Sequence, residues 1–142
     1  MSPETVPVTV RIITEFDEQI CREAAILFAG AGWISSPEEG GFLKQALPGS
    51  CAVAGALYDG RLIGIARAIS DGVSDAYIQD VTVLKEFRGR GIGARLVTVL
   101  AGELEKRKID WIGLVGVPGT ETFYANLGFE AQAGHTLWLR KI

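Results

Sequence analysis

Apolar and β-branched residues fall into short runs at 8–13, 51–58, 62–69, 76–84, 111–117, 129–132 and 136–139, the pattern of strands. Between them the period lengthens. From Asp17, Ile20, Ala24, Leu27 and Phe28 share one helical face, with Asp17 as N-cap and Gly30-Ala31-Gly32 as the break. Ser36 and Pro37 open a second helix that runs to about Leu47 and stops at Pro48-Gly49. Leu96, Val97, Leu100 and Leu104 mark a third, and 120–127 a short fourth. Asp59-Gly60 predicts a tight hairpin and Asp71-Gly72 another turn.

The resulting order, β-α-α-β-β-β-α-β-α-β-β, begins as a meander and then crosses over through helices, which predicts a mixed α/β fold with helices covering one sheet. The 142 residues fit one domain, with 1–6 expected to be a loose tail, and no repeat or linker interrupts them. A composition 48% hydrophobic and 22% charged is that of a globular chain. The net charge of −3 argues against general affinity for nucleic acid or acidic membranes, so any phosphate binding should be local. No basic-then-apolar leader and no run of about 20 apolar residues is present, so a cytoplasmic protein is expected. Cys21 and Cys51 lack metal-ligand spacing and His135 is the one histidine, so no metal site is expected.

The most informative stretch is 80–101, where a strand passes through a basic, glycine-rich turn into a helix. The first turn of a helix leaves backbone N–H groups unpaired at the positive end of the helix dipole. Gly89, Gly91 and Gly93 place no side chain between that backbone and an oxygen, and Lys85, Arg88, Arg90 and Arg95 outnumber Glu86. The expected guest is a phosphate. The spacing is neither the dinucleotide-binding G-x-G-x-x-G after a first strand nor a Walker A loop, because no Gly-Lys-Ser/Thr follows.

Arg88-Gly89-Arg90-Gly91-Ile92-Gly93, preceded by a Val-x-Val strand, resembles the (Arg/Gln)-x-x-Gly-x-(Gly/Ala) signature of the GNAT superfamily of acyl-CoA-dependent N-acyltransferases. Phe123-Tyr124-Ala125-Asn126-Leu127-Gly128-Phe129 is similar to that family's F-Y-x-x-L-G-F segment, a helical turn closed by a glycine. The layout is also similar to the branch containing plant-type arylalkylamine (serotonin) N-acetyltransferases. The resemblance implies a central, mixed, mostly antiparallel sheet whose strands splay beside the central helix, with acetyl-CoA in the cleft. It implies that Arg88, Gly89, Arg90, Gly91, Ile92, Gly93 and Ala94 hold the pyrophosphate, and that the backbone of Val81, Thr82 and Val83 pairs with the pantetheine arm.

Tyr124 matches the family's tyrosine at the leaving sulfur, where a phenol can protonate a thiolate. Asp80 is the candidate base for the amine, an acid set in an apolar strand where burial favours proton uptake. The family's usual glutamate falls near Tyr77 and is absent. An asparagine common before the last helix is replaced around Val117-Pro118-Gly119, and a proline after the Val-x-Val strand by Lys85. Neither cysteine matches a nucleophile position, so direct attack on the thioester is expected. Trp33 and Tyr77 are candidate acceptor-binding residues, with residues 67–71, His135 and Trp138 as further walls, and a small-molecule amine is the expected partner, with arylalkylamines as one candidate class. Acetylation of a protein or aminoacyl-tRNA amine, and a non-catalytic acyl-CoA sensor, are the alternatives. A homodimer through terminal strands is compatible with the fold.

Overall fold

A computed structural model describes residues 7–142; the tail expected at 1–6 lies outside the described residues. Strand β1 (Thr9–Ile12) leads to helix α1 (Glu18–Gly30). A 3₁₀ segment (Pro37–Phe42) and helix α2 (Leu43–Gly49) follow. Strands β2 (Ala52–Tyr58), β3 (Arg61–Ser70) and β4 (Asp75–Val83) come next, then helix α3 (Ile92–Lys106), strand β5 (Trp111–Leu114) and the short helix α4 (Glu121–Ala125).

The strands lie in sequence order in one sheet; neighbours from β1 to β4 are antiparallel, and β4 and β5 are parallel. Burial along β2 and β3 is nearly continuous rather than alternating, the mark of strands covered on both faces. Helix α1 packs on one face and α3 on the other. Leu96, Val97, Leu100 and Leu104 of α3 are fully buried, each stabilising the fold by roughly 1.5–3 kcal/mol. Gly64 lets α3 come close, since a Cβ there would meet Leu96 at 3.0 Å.

Local chemistry sets the element ends. Asp17 caps α1, its carboxylate accepting the Ile20 amide at 2.9 Å. The β2–β3 hairpin turns on Asp59 and Gly60, both at positive φ. The helix expected from Ser36 to about Leu47 is divided, a 3₁₀ stretch preceding α2. Gly40 is pressed on Ala25 of α1, where a Cβ would lie 2.5 Å from the Ala25 Cβ, and Gly40-Gly41 is a poor helix interior. Ser36 gives no side-chain cap.

The final pair of strands expected at 129–132 and 136–139 is not formed. A tight turn is present, with the His135 amide donating to Gln132 O at 3.2 Å and Gly134 at positive φ, but its flanks make no ladder. Alternating apolar residues make a strand only where a neighbouring edge pairs with them. β5 is therefore an outer strand of a five-stranded sheet.

Candidate active site

The cleft begins where two parallel strands part. β4 and β5 pair from Asp75 opposite Trp111 to Ile78 opposite Leu114, where β5 ends. β4 runs on through Gln79, Asp80, Val81, Thr82 and Val83, still paired to β3 on its other side. That stretch keeps an edge with no β5 partner, the length of backbone a peptide-like arm would need. Asp80 adds a bulge: its φ is +59°, and the register between β3 and β4 slips between Ile65 and Arg67.

The turn after β4 is built on its own hydrogen bonds. Leu84 N–H donates to Ile63 O at 2.8 Å, and Lys85–Phe87 form a 3₁₀ turn. Arg88 Nε donates to Val83 O at 2.9 Å, and Arg90 donates to Glu86 O at 3.3 Å with its guanidinium 5.4 Å from the centre of the Phe87 ring. Both arginines are exposed and held at the loop. Gly89 and Gly91 have φ of +78° and +76°, and Gly91 stands at the N-cap of α3 without a side-chain cap. The first intrahelical bond runs from Arg95 N–H to Gly91 O at 3.2 Å, so the amides of Ile92, Gly93 and Ala94 face outward from the helix end without intrahelical acceptors. This end fits an anion. Arg95 points elsewhere, donating to Val8 O at 2.7 Å.

Helix α4 closes the far side. Phe123 lies 3.6 Å from where a Cβ on Gly93 would stand, which sets α4 beside the start of α3. Gly116 meets Tyr124 in the same way at 3.6 Å, bringing the chain after β5 against that ring. Phe129 N–H donates to Tyr124 O and Gly128 N–H to Ala125 O, both at 3.1 Å, with Gly128 at φ +91°. This is a Schellman turn, completed by contact between the Tyr124 and Phe129 rings at 5.9 Å. Tyr124 is half-buried, and desolvation raises its pKa above the ordinary phenol value. Its hydroxyl makes no hydrogen bond among the described residues.

Asp80 meets Arg67. The Arg67 Nε donates to the Asp80 carboxylate, and Arg67 Nη1 reaches Ser50 Oγ at 3.3 Å. A lone arginine inside Leu62-Ile63-Gly64-Ile65-Ala66-Arg67-Ala68 requires such a partner, and that requirement was the available signal for the pair. In register, Arg67 lies opposite Gln79 and Ile69 opposite Tyr77, so Arg67, Ile69, Tyr77 and Gln79 share the face that α1 covers farther along. Tyr77 is exposed and packs on Trp111, ring centres 5.2 Å apart. Trp33 belongs to a different cluster. It closes the end of α1, its amide donating to Phe28 O at 3.0 Å and its ring standing edge-on to Phe28 at 5.0 Å.

The structure thus joins the 88–94 turn to the open edge at 81–83, sets α4 with Tyr124 beside the start of α3, places Asp80 on β4 against Arg67, and leaves the acceptor-side aromatics in two separate groups.

Residues 18–129 match the model of the acetyltransferase (GNAT) family. Over 72 residues the chain is 46% identical to GCN5-related N-acetyltransferase 2, chloroplastic, of Arabidopsis thaliana, covering 51% of this chain and 28% of that protein. Over 70 residues it is 36% identical to serotonin N-acetyltransferase 2, chloroplastic, of Oryza sativa subsp. japonica, covering 49% and 35% respectively. The chain therefore spans about a third or less of these plant relatives. The fold matches a GNAT-family acetyltransferase from Streptococcus pneumoniae with a TM-score of 0.77 at 23% identity, covering 96% of this chain and all of the other. On the breadth of that family match and the cleft it encloses, the chain belongs to the GNAT acetyltransferase family.

Proposed function

We propose that the protein is an N-acetyltransferase that moves the acetyl group of acetyl-CoA directly to a primary amine of a small molecule, with arylalkylamines as the favoured acceptor class. The observation that carries this reading is the open β4 edge beyond Ile78, which leads into the turn at the uncapped start of α3, beside which Phe123 sets α4.

The residues divide the work. The amides of Ile92, Gly93 and Ala94, with Arg88 and Arg90, hold the pyrophosphate of the co-substrate. The backbone of Val81, Thr82 and Val83 pairs with the pantetheine amides, as an added strand would. The acceptor nitrogen attacks the thioester carbon, the carbon–sulfur bond breaks, and Tyr124 gives its proton to the departing thiolate. Its raised pKa keeps that proton in place near neutral pH. The proton leaving the amine goes to Asp80 or through it to solvent. Arg67 holds that carboxylate in place through its Nε.

The arylalkyl preference is supported by the exposed Tyr77–Trp111 pair beside Ile69, a face onto which an aromatic ring can stack. The serotonin N-acetyltransferase among the relatives agrees with it. The test is to incubate the protein with acetyl-CoA and arylalkylamines, polyamines or amino acids, and to identify N-acetyl products by mass spectrometry. Products from the arylalkylamines are expected. Products only from other amines would overturn the acceptor class, and acetyl-CoA binding without any product would replace the enzyme by a sensor.

A further inference from the structure

Ser50 stands at the junction of α2 and β2, outside the two motifs that mark the cleft. Pro48-Gly49 ends α2, and a helix end leaves its last carbonyls without intrahelical donors. Ser50 meets two of them: its amide donates to Leu47 O at 3.1 Å and its hydroxyl to Ala46 O at 2.7 Å. The next residue fastens the junction to β3 and α3, Cys51 N–H donating to Ala68 O at 2.8 Å and Arg107 Nη1 donating to Cys51 O at 2.8 Å. Ser50 is therefore a fixed, part-buried point beside β3.

A hydroxyl has one hydrogen, and here Ala46 O takes it. Toward Arg67 Nη1, 3.3 Å away, Ser50 Oγ can only accept. The guanidinium is thus held through two of its nitrogens, Nη1 to Ser50 and Nε to the Asp80 carboxylate. A planar fork fixed at two points has one orientation, whereas a fork fixed at one point can swing. Both side chains of the ion pair are largely shielded, 15% exposed for Arg67 and 21% for Asp80. Asp80 needs such a holder. It sits at a bulge with φ of +59°, so the alternation of the strand does not by itself aim its side chain. A proton acceptor has to stand within about 2.6–3.2 Å of the donor, and a displacement of about 1 Å can cost about a hundredfold in rate.

We propose, resting on the reading of Asp80 as the base, that Ser50 is a positioning residue for the reaction: its hydroxyl locks the Arg67 guanidinium, and the locked guanidinium aims the Asp80 carboxylate at the acceptor nitrogen. Ser50 moves no proton, since its hydrogen stays in the bond to Ala46 O and Arg67 keeps its charge throughout. The amine proton goes to Asp80. The contribution of Ser50 scales with how much the acceptor needs a base. An alkylamine arrives as an ammonium ion and has to give up a proton before its lone pair can attack the thioester. An alkoxyamine of the same shape is already neutral at neutral pH and has no such need.

The test is a double-mutant cycle in the full chain, with phenethylamine and O-benzylhydroxylamine as paired acceptors. Ser50→Ala is expected to lower kcat/KM for phenethylamine about tenfold, to leave KM for acetyl-CoA unchanged, and to keep the rate with O-benzylhydroxylamine within about twofold of wild type. Ser50→Thr, which keeps the hydroxyl, is expected to restore the rate. In an Asp80→Asn background, Ser50→Ala is expected to add no further loss. Equal losses with both acceptors, or a loss that multiplies onto that of Asp80→Asn, would mean that Ser50 only caps α2 and would overturn the proposal. Asp80→Asn without effect on phenethylamine would remove the base and the proposal together; a loss there with Ser50→Ala at the wild-type rate would remove the proposal alone. A readout independent of turnover is the Arg67 Nε–H resonance in a nitrogen–proton NMR spectrum, assigned by its loss in Arg67→Lys. It is expected to shift in Ser50→Ala and to return in Ser50→Thr; a resonance unmoved by Ser50→Ala would overturn the positioning role.

Discussion

The ring of Tyr124 stands nearly perpendicular to those of Phe123 and Phe129, and burial pushes its pKa up from the ordinary value of about 10. A raised phenol pKa means the acid form persists as pH rises, so proton donation to the thiolate is available across neutral pH and is lost only above the ordinary phenol range. Tyr124→Phe is expected to lower kcat by about 10²–10⁴ with KM for acetyl-CoA little changed, and to remove the alkaline fall of kcat that the phenol causes. Steady-state kinetics across pH check both. Asp80 presents a different problem, because its backbone is left-handed at φ +59° and its carboxylate is bonded to Arg67. Asparagine tolerates that conformation and can still accept from Arg67, so Asp80→Asn is expected to keep the thermal midpoint within a few degrees while kcat/KM falls at least about tenfold. Arg67→Met does the reverse: it leaves a part-buried carboxylate without its partner and is expected to cost roughly 1–3 kcal/mol in denaturant unfolding. Asp80 was legible as an acid in an apolar strand, but its bulge and its partner thirteen positions back across β3 were not, since both depend on register. Trp33 was legible as an aromatic after a glycine break and a candidate for the acceptor wall. Its contact with Phe28 shows that it secures the end of α1.

At the scale of elements, the strand–turn–helix unit of β4 and α3 was readable because its chemistry is local: glycines where φ must be positive, and an apolar stripe at helical spacing. Gly91 has open space around its missing Cβ, so the cost of a side chain there is conformational. Gly91→Ala is expected to destabilise the fold by about 1–2 kcal/mol, measured by chemical unfolding. It is also expected to weaken acetyl-CoA while leaving the affinity for pantetheine, which lacks the pyrophosphate, unchanged; calorimetry with both ligands checks this. The α4 turn was equally readable, since Gly128 closes it through two backbone bonds within six residues. The second helix and the terminal hairpin were not. Gly40 is fixed by its approach to Ala25 of α1, and the 129–132 and 136–139 runs have strand patterns but pair with no neighbouring strand, so both outcomes turn on contacts that periodicity does not carry.

For the whole molecule, the order of elements read from the sequence holds from β1 through α4, and the sheet is mixed and mostly antiparallel as expected. The splaying of β4 from β5 emerges only at this scale: each strand reads as ordinary, and the cleft exists because their pairing stops at Ile78 and Leu114. A chain with net charge −3 gathers its cleft cations at Lys85, Arg88 and Arg90, so recognition of a phosphate rests on that turn rather than on the overall field. The most direct measurement is calorimetric titration of acetyl-CoA into the protein. Saturable binding of one acetyl-CoA per chain, with a dissociation constant between about 1 μM and 1 mM, is the predicted result. Absence of binding at millimolar acetyl-CoA by a folded chain would contradict the account, because the cleft between β4 and β5 would then hold no acyl-CoA at all.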